Sequence, residues 1–255
     1  MQSSESMSNQ ETFLITGASK GLGRSIAILL AKKGYVIVGL ARASKELTSL
    51  NKILKSFNPK CSVLECDLSA TAEVNDIGHL IVDTYPSISG LVHNAGIIGP
   101  VDNMFAVNAD EWDAALQVNL SSVQRLTGII YQSLAAENGC RVTTISSGAA
   151  IKSLPSWSAY CTSKAALEMW TKCLAQEGMG DNITAISFAP GIVDTGMQAA
   201  IRSVSQQKFP MVDRFIGFHE NGDLTNPDDV ASAMFELITQ HDMSVSGQRF
   251  DVRDL

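Results

Sequence analysis

Short apolar runs alternating with amphipathic stretches limit what this chain can fold into more than any other feature. The runs at 12–16, 36–40, 62–66, 90–93, 141–146 and 184–189 are mostly apolar without strict two-residue alternation. That pattern belongs to strands covered on both faces, and so to a parallel sheet. Between them, 22–33, 45–57, 70–84, 110–136, 156–177 and 227–240 have helical periodicity. Several open on Ser, Asp or Asn, and the last opens on Asn226-Pro227. The repeated succession predicts an α/β fold with a doubly wound βα array. No short-period repeat, low-complexity run or Pro/Gly linker divides the chain, and 255 residues at 45% hydrophobic suit one domain. The expected organisation is a flexible polar tail at 1–10 and a single domain over 11–255.

Charge and cysteine usage narrow the function classes. A net charge of -7 argues against a nucleic-acid backbone or an anionic membrane as the main partner, so any phosphate binding is local. Cysteines at 61, 66, 140, 161 and 173 form no Cys-x-x-Cys pair, and histidines at 79, 93, 219 and 241 are too scattered for a metal motif. No metal is expected, and reduced thiols fit the cytoplasm. The opening residues lack the basic start and apolar core of a signal peptide, and no segment approaches membrane-spanning length. A soluble cytoplasmic protein is the expectation.

The first predicted strand runs into Thr16-Gly-Ala-Ser-Lys-Gly-Leu-Gly23, and a helix follows at once. Glycines at 17, 21 and 23 let the backbone turn sharply and let a pyrophosphate approach, while the helix start offers unpaired N–H groups and a positive dipole end. Ser19, Lys20 and Leu22 complete this candidate phosphate cradle. A carboxylate at the end of the second strand would hold an adenosine ribose and repel a 2′-phosphate. This chain instead reads Gly39-Leu-Ala-Arg-Ala43 there, so Arg42 and Lys20 offer two cations and no acid. NADP (NADPH) is the expected cofactor.

Tyr160 and Lys164 stand four residues apart, the spacing of one helix face, and Ser147 precedes the tyrosine by thirteen positions. A phenol near an ammonium is a tunable acid, because the positive charge favours the phenolate. A serine arriving from a strand end can hold a carbonyl oxygen against the same phenol. Ser146 is the competing serine, although the spacing favours Ser147. The constellation suggests carbonyl–alcohol chemistry.

Together, Thr16–Gly23, Asp67-Leu68, Asn94-Ala95-Gly96, Asn119, Ser147, Tyr160, Lys164 and Pro190-Gly191 stand in the order found in the short-chain dehydrogenases/reductases, which the chain resembles over about 12–252. Within that family, Tyr160-Cys-Thr-Ser-Lys-Ala-Ala-Leu167 and Ala189-Pro-Gly-Ile-Val-Asp-Thr-Gly-Met-Gln198 are most similar to the benzil reductase and sepiapterin reductase branch. The resemblance implies a Rossmann fold of seven parallel strands flanked by helices, with NAD(P) across the strand C-termini and an Asn119-Ser147-Tyr160-Lys164 tetrad. It assigns the adenine to Asp67 and Leu68, and the cofactor lining and sheet end to Asn94-Ala95-Gly96. Pro190, Gly191, Val193 and Thr195 would surround the nicotinamide. Asn119 would position a water that relays protons to Lys164. Two departures are His93, where the family often has Asn, and Ala41, in place of the acid of NAD-preferring members.

The chemistry that follows is hydride transfer from NADPH to a ketone. Tyr160 protonates the alkoxide, Ser147 holds the oxygen, and Lys164 lowers the Tyr pKa and binds the nicotinamide ribose. The stretch 192–223, with Met197, Ile201, Phe209, Met211, Phe215 and Phe218, would form a substrate loop. With Leu154 and Trp157 it suggests an apolar or aromatic ketone, including a 1,2-diketone. An equal reading of those Met and Phe residues is an ordinary packed helix pair. An oxidative NAD(P)-dependent alcohol dehydrogenase and a non-catalytic NADPH sensor are the alternative functions. The resemblance also implies a homodimer or homotetramer.

Overall fold

The computed structural model describes residues 10–136 and 138–255, so nearly all of the expected tail lies outside it. The chain forms β1 (Thr12–Thr16), α1 (Gly21–Lys32), β2 (Val36–Ala41), α2 (Lys45–Phe57), β3 (Ser62–Glu65), α3 (Thr71–Thr84) and β4 (Gly90–His93). It continues through α4 (Ala109–Leu116), a π-helical turn (Gln117–Ser121), α5 (Ser122–Ile129), α6 (Tyr131–Leu134) and β5 (Cys140–Ile145). The last third holds α7 (Ser158–Glu177), β6 (Ile183–Ala189), α8 (Gly196–Arg202), α9 (Val212–Glu220), α10 (Pro227–Gln240) and β7 (Arg249–Asp251).

Seven parallel strands make one sheet in the order β3-β2-β1-β4-β5-β6-β7. The chain winds outward from β1 to β3, then returns to β4 on the other side of β1. The strand C-termini therefore part at the β1–β4 junction, where doubly wound sheets hold their ligands. Along β1, Phe13 and Ile15 enter the core shared with α1, α2 and α10, while Leu14 enters the one shared with α3 and α5. The same split separates Ile37 from Val38 and Leu40 on β2. The two-residue alternation of a strand is thus present, but both faces are apolar and the sequence reads as a continuous run.

Element ends differ from the pattern where backbone bonding overrides periodicity. The expected helix 110–136 is broken at the π-helical turn, where the fully buried Asn119 is tied by its amide to the backbone of Ile97. The helix expected at 156–177 starts at Ser158, since Ser156 adopts a left-handed backbone (φ 67°). Two helices, α8 and α9, occupy the stretch 192–223. They and the segment between them bury Ile201, Phe209, Val212 and Phe215 with Trp157, Tyr160 and Ala149 in a third apolar cluster beyond the sheet. No helix among the described residues is long and apolar enough to cross a membrane.

Candidate active site

The glycine turn follows β1 directly and lies against the loop after β4. Thr16 Oγ1 accepts from the backbone N–H groups of Asn94 and Ala95 (both 3.1 Å), and Asn94 Nδ2 donates to the carbonyls of Thr16 (3.0 Å) and Gly17 (3.2 Å). Gly17 and Gly21 have positive φ (67° and 56°). At Gly23 the limit is space, since a Cβ there would sit 2.3 Å from Asn94 Nδ2 and 2.6 Å from the Gly17 carbonyl oxygen. Lys20, exposed at the N-cap of α1, lends no side-chain cap, and the first turn carries no acid. Thr195 closes the turn from the other side, with its methyl 3.1 Å from where a Cβ on Gly21 would lie. Behind it, Gly191 turns at φ 74°, and Val193 bridges Thr225.

Beyond β2 and β3, exposed Arg42 and half-buried Asp67 lie close enough that the guanidinium helps hold the Asp67 carboxyl below its ordinary range. The larger causes are hydrogen bonds from the Ser69 amide (2.9 Å) and hydroxyl (2.8 Å). Leu68 packs from the edge of the α3-side core.

Lys164 and Asn119 face each other across Gly96. A Cβ on that glycine would lie 3.4 Å from Lys164 Nζ and 3.3 Å from Asn119 Oδ1. The Asn119 amide is heavily engaged: Oδ1 accepts from the Ile97 amide (2.8 Å), and Nδ2 donates to the Ile97 carbonyl (2.9 Å) and to Ser163 Oγ (3.0 Å). Ser163 in turn donates to the Tyr160 carbonyl (2.9 Å). Both amide hydrogens are therefore committed, and a water at Asn119 would have to donate to it. The buried ammonium of Lys164 donates to the Ile145 carbonyl (2.7 Å) at the end of β5, 5.7 Å from the Tyr160 ring centre. Ser147, extended at the start of a 3-10 turn, accepts from the Ala149 amide (3.1 Å). Ser146 points the other way, into a bond with Glu168.

Burial governs protonation here. The Tyr160 phenol is pushed up to about 12 by desolvation, against which a hydrogen bond with Ser147 acts. Lys164 is drawn down to about 8 by desolvation, opposed by the charge of Glu168. Desolvation, rather than the ammonium of Lys164, is the largest influence on the phenol. Trp157 stands edge-on to Tyr160 (5.6 Å between ring centres) and stacks on Phe209 (5.4 Å), and Phe215 closes the group. At neutral pH the site therefore presents a neutral phenol beside a protonated amine.

Residues 11–206 match the family model described as short chain dehydrogenase. A benzil reductase ((S)-benzoin forming) of Bacillus subtilis (strain 168) is 32% identical over 96% of this chain and 99% of its own length. An NADPH-dependent pterin aldehyde reductase of Arabidopsis thaliana is 31% identical over 72% of this chain and 75% of its own. The crystal structure of a short-chain dehydrogenase/reductase from Saccharomyces cerevisiae superposes with a TM-score of 0.83 at 30% identity, covering 96% of each chain. The chain belongs to the short-chain dehydrogenase family.

Family membership makes it an oxidoreductase and implies NAD(P), and the residues present fit that group. The crowded, positive-φ glycine turn leads into a helix whose first turn no side chain caps. Beside it runs a cleft of about 510 Å³ lined by Gly21, Arg24, Asp194, Thr195 and Asn226. Nη1 of Arg24, buried at that cleft, has no hydrogen-bond partner among the described residues. His93, the family departure, is fully accommodated: its Nε2 meets Thr127 Oγ1 (2.8 Å), Trp170 stands edge-on to it, and burial lowers its pKa to about 3. It is a neutral packing residue.

Sequence reasoning missed Ser163, Arg24 and Glu168. Ser163 and Glu168 were within reach of helical spacing, since Ser163 follows Tyr160 by three and Glu168 follows Lys164 by four. Arg249, which joins Glu168 from β7, carries no local signal.

Proposed function

We propose that the protein is a cytoplasmic, NADPH-dependent carbonyl reductase acting on an apolar or aromatic ketone, with 1,2-diketones the leading substrate class. The observation that carries this reading is a neutral, deeply covered phenol at Tyr160, set among Trp157, Phe209 and Phe215 and within reach of the Ser147 hydroxyl. A neutral phenol at this place can donate a proton to the substrate oxygen, the role a reduction asks of it. The benzil reductase and pterin aldehyde reductase relatives support the carbonyl chemistry, and the latter's printed name supports NADPH. Exposed Arg42 and Lys20, with no acid at the β2 end, give a 2′-phosphate two cations.

When bound, NADPH supplies a hydride, with its electron pair, to the carbonyl carbon. Gly17, Ser19, Lys20, Gly21, Leu22 and Gly23 would hold its pyrophosphate, Arg42 its 2′-phosphate, and Asp67 and Leu68 its adenine. Asn94, Ala95, Gly96, Pro190, Gly191, Val193 and Thr195 would line the remainder. Ser147 donates to the substrate oxygen and Tyr160 delivers its proton to that oxygen as negative charge gathers there. Lys164 keeps a positive charge behind the phenol and binds the ribose, ready to return a proton to it. Asn119 acts by position, fixing the Ile97 loop and, through Ser163, the Tyr160 turn of α7. The aromatic cover excludes water and matches an aryl substituent by stacking. A two-fold assembly, dimer or tetramer, would pair the outer faces of α5 and α7, and light scattering would measure it.

The direct test is the initial rate of NADPH and NADH oxidation with diketones, aryl ketones and aldehydes, for the parent and Tyr160→Phe. Diketone-dependent NADPH turnover that falls ~10²–10⁴-fold in the variant is expected. Turnover unchanged by the substitution would remove Tyr160 from the mechanism. NADPH binding without turnover of any carbonyl would replace the reductase with a nucleotide sensor.

A further inference from the structure

Glu168 is a charged, buried side chain that the proposed reaction does not use. It lies one helical turn beyond Lys164 on α7 and is only 8% exposed. Its Oε1 accepts from the Ser146 hydroxyl (2.5 Å) and from Nε of Arg249 on β7 (2.8 Å). Ser146 sits between Ile145, whose carbonyl receives Lys164 Nζ, and Ser147. Two successive turns of one helix thus grip two successive residues at the end of β5, immediately before the serine that faces Tyr160. Arg249 reaches on to Asp251, which Arg253 also holds, so Glu168 shares its cation with a second carboxylate. Around Lys164 the charged or titratable neighbours are Tyr160 and Glu168 on α7, with Arg249 and Asp251 behind Glu168 on β7. Against Lys164 the loop after β4 and the π-helical turn set Gly96 and Asn119, both uncharged.

We infer that Glu168 is a positioning residue for the proposed reaction: it sets the end of β5 that carries Ser147 and holds the positive charge on Lys164. This rests on the reading that Lys164 serves Tyr160. The physical basis is that a buried ammonium loses its proton readily unless a carboxylate lies near. Burial pulls Lys164 toward about 8, and the Glu168 charge is the opposing influence. Were the Glu168–Arg249–Asp251 cluster only a staple for β7, its loss would lower stability without moving the titration of Lys164.

The test is a carbon-13 NMR titration of lysine Cε in the full chain, with the Lys164 signal identified by its disappearance in Lys164→Arg. Glu168→Gln keeps an acceptor for Ser146 and Arg249 and removes the charge. Its Lys164 midpoint is expected to fall by about one pH unit. The alkaline limb of kcat/KM for diketone reduction falls with it. Glu168→Asp, which restores the charge, brings the midpoint back even where the displaced carboxylate leaves kcat low. A parent-like midpoint in folded Glu168→Gln overturns the inference. Should that variant fail to melt cooperatively, Arg249→Met carries the test: removing the cation moves the midpoint upward, and an unmoved midpoint overturns the inference equally. The titration needs no turnover, so a shifted midpoint in a protein that reduces no carbonyl refutes the reductase reading while leaving the Glu168–Lys164 link standing.

Discussion

Gly23→Ala is the substitution whose outcome the geometry fixes most tightly. A helical Gly→Ala change with ordinary φ normally gains about 0.5–1 kcal/mol. Here the new Cβ would lie 2.3 Å from Asn94 Nδ2 and 2.6 Å from the Gly17 carbonyl, so the amide must leave and the turn must shift. Asn94 then loses its bonds to the Thr16 and Gly17 carbonyls, about 1 kcal/mol each. Displacing packed backbone adds about 1–3 kcal/mol. The net loss is about 2–4 kcal/mol, which for a chain of this size lowers Tm by about 5–15 °C. Because the same turn is the proposed pyrophosphate cradle, the rise in Tm on adding NADPH shrinks as well. Gly217→Ala is the control: Gly217 lies inside α9 with nothing within 4 Å of the new Cβ, so it should raise stability by about 0.5–1 kcal/mol. Differential scanning fluorimetry with and without NADPH measures both. A Gly23→Ala protein that melts with the parent and keeps its NADPH shift would refute the claim that Asn94 and the glycine turn are one rigid unit.

Two further outcomes follow from the charges. Arg42→Asp removes a charge-assisted contact to a 2′-phosphate and places an acid at the end of β2; NADPH affinity should fall ten- to about a hundredfold, about 1.5–3 kcal/mol, while NADH affinity holds or rises, as read by fluorescence titration. Asp251 is held at about 2, chiefly by its hydrogen bonds from Arg253. A depressed carboxyl stabilises the fold above its ordinary pKa and loses that contribution as pH falls from about 4 through about 2. Asp251→Asn should therefore cost roughly 1–2 kcal/mol at pH 7, allowing for the solvent around Arg253, with the deficit shrinking over that window; urea unfolding at pH 7 and pH 4, and melting below pH 4, checks it.

The parallel sheet was legible because strands buried on two faces leave continuous apolar runs, as in Val36–Ala41, and the glycine turn because a strand leads straight into a helix. What stayed hidden depends on contacts distant in sequence. The three-residue β7 is too short to show periodicity, and its place is set by pairing Ser187 with Arg249. The break in the long helix 110–136 has no Pro or Gly to announce it near Asn119; it is made by the Ile97 loop, 22 residues away. In the site, the order of motifs gave the candidate residues, but the balance of forces on them did not follow from spacing. Tyr160 and Lys164 share a helix face as expected, yet burial raises the phenol, and the rings packed in its cluster come from 157 and from the α8–α9 segment.

That segment links substrate choice to proton chemistry. The aromatic rings that would stack on an aryl ketone are the same rings that keep water from Tyr160, so the apolar cover and the high phenol pKa have one cause. Thinning the cover would hydrate the phenol and bring it back toward its ordinary value of ~10, still an acid at neutral pH. The proton donor is therefore preserved over a range of cover geometries, whereas a base for alcohol oxidation would require the cation of Lys164 to overcome burial. With Lys164 itself drawn toward about 8, that cation weakens in the alkaline range where a phenolate would begin to form. Burial thus keeps the phenol in its proton-donating form, while the charge on Lys164 that would resupply that proton is the more pH-sensitive of the two.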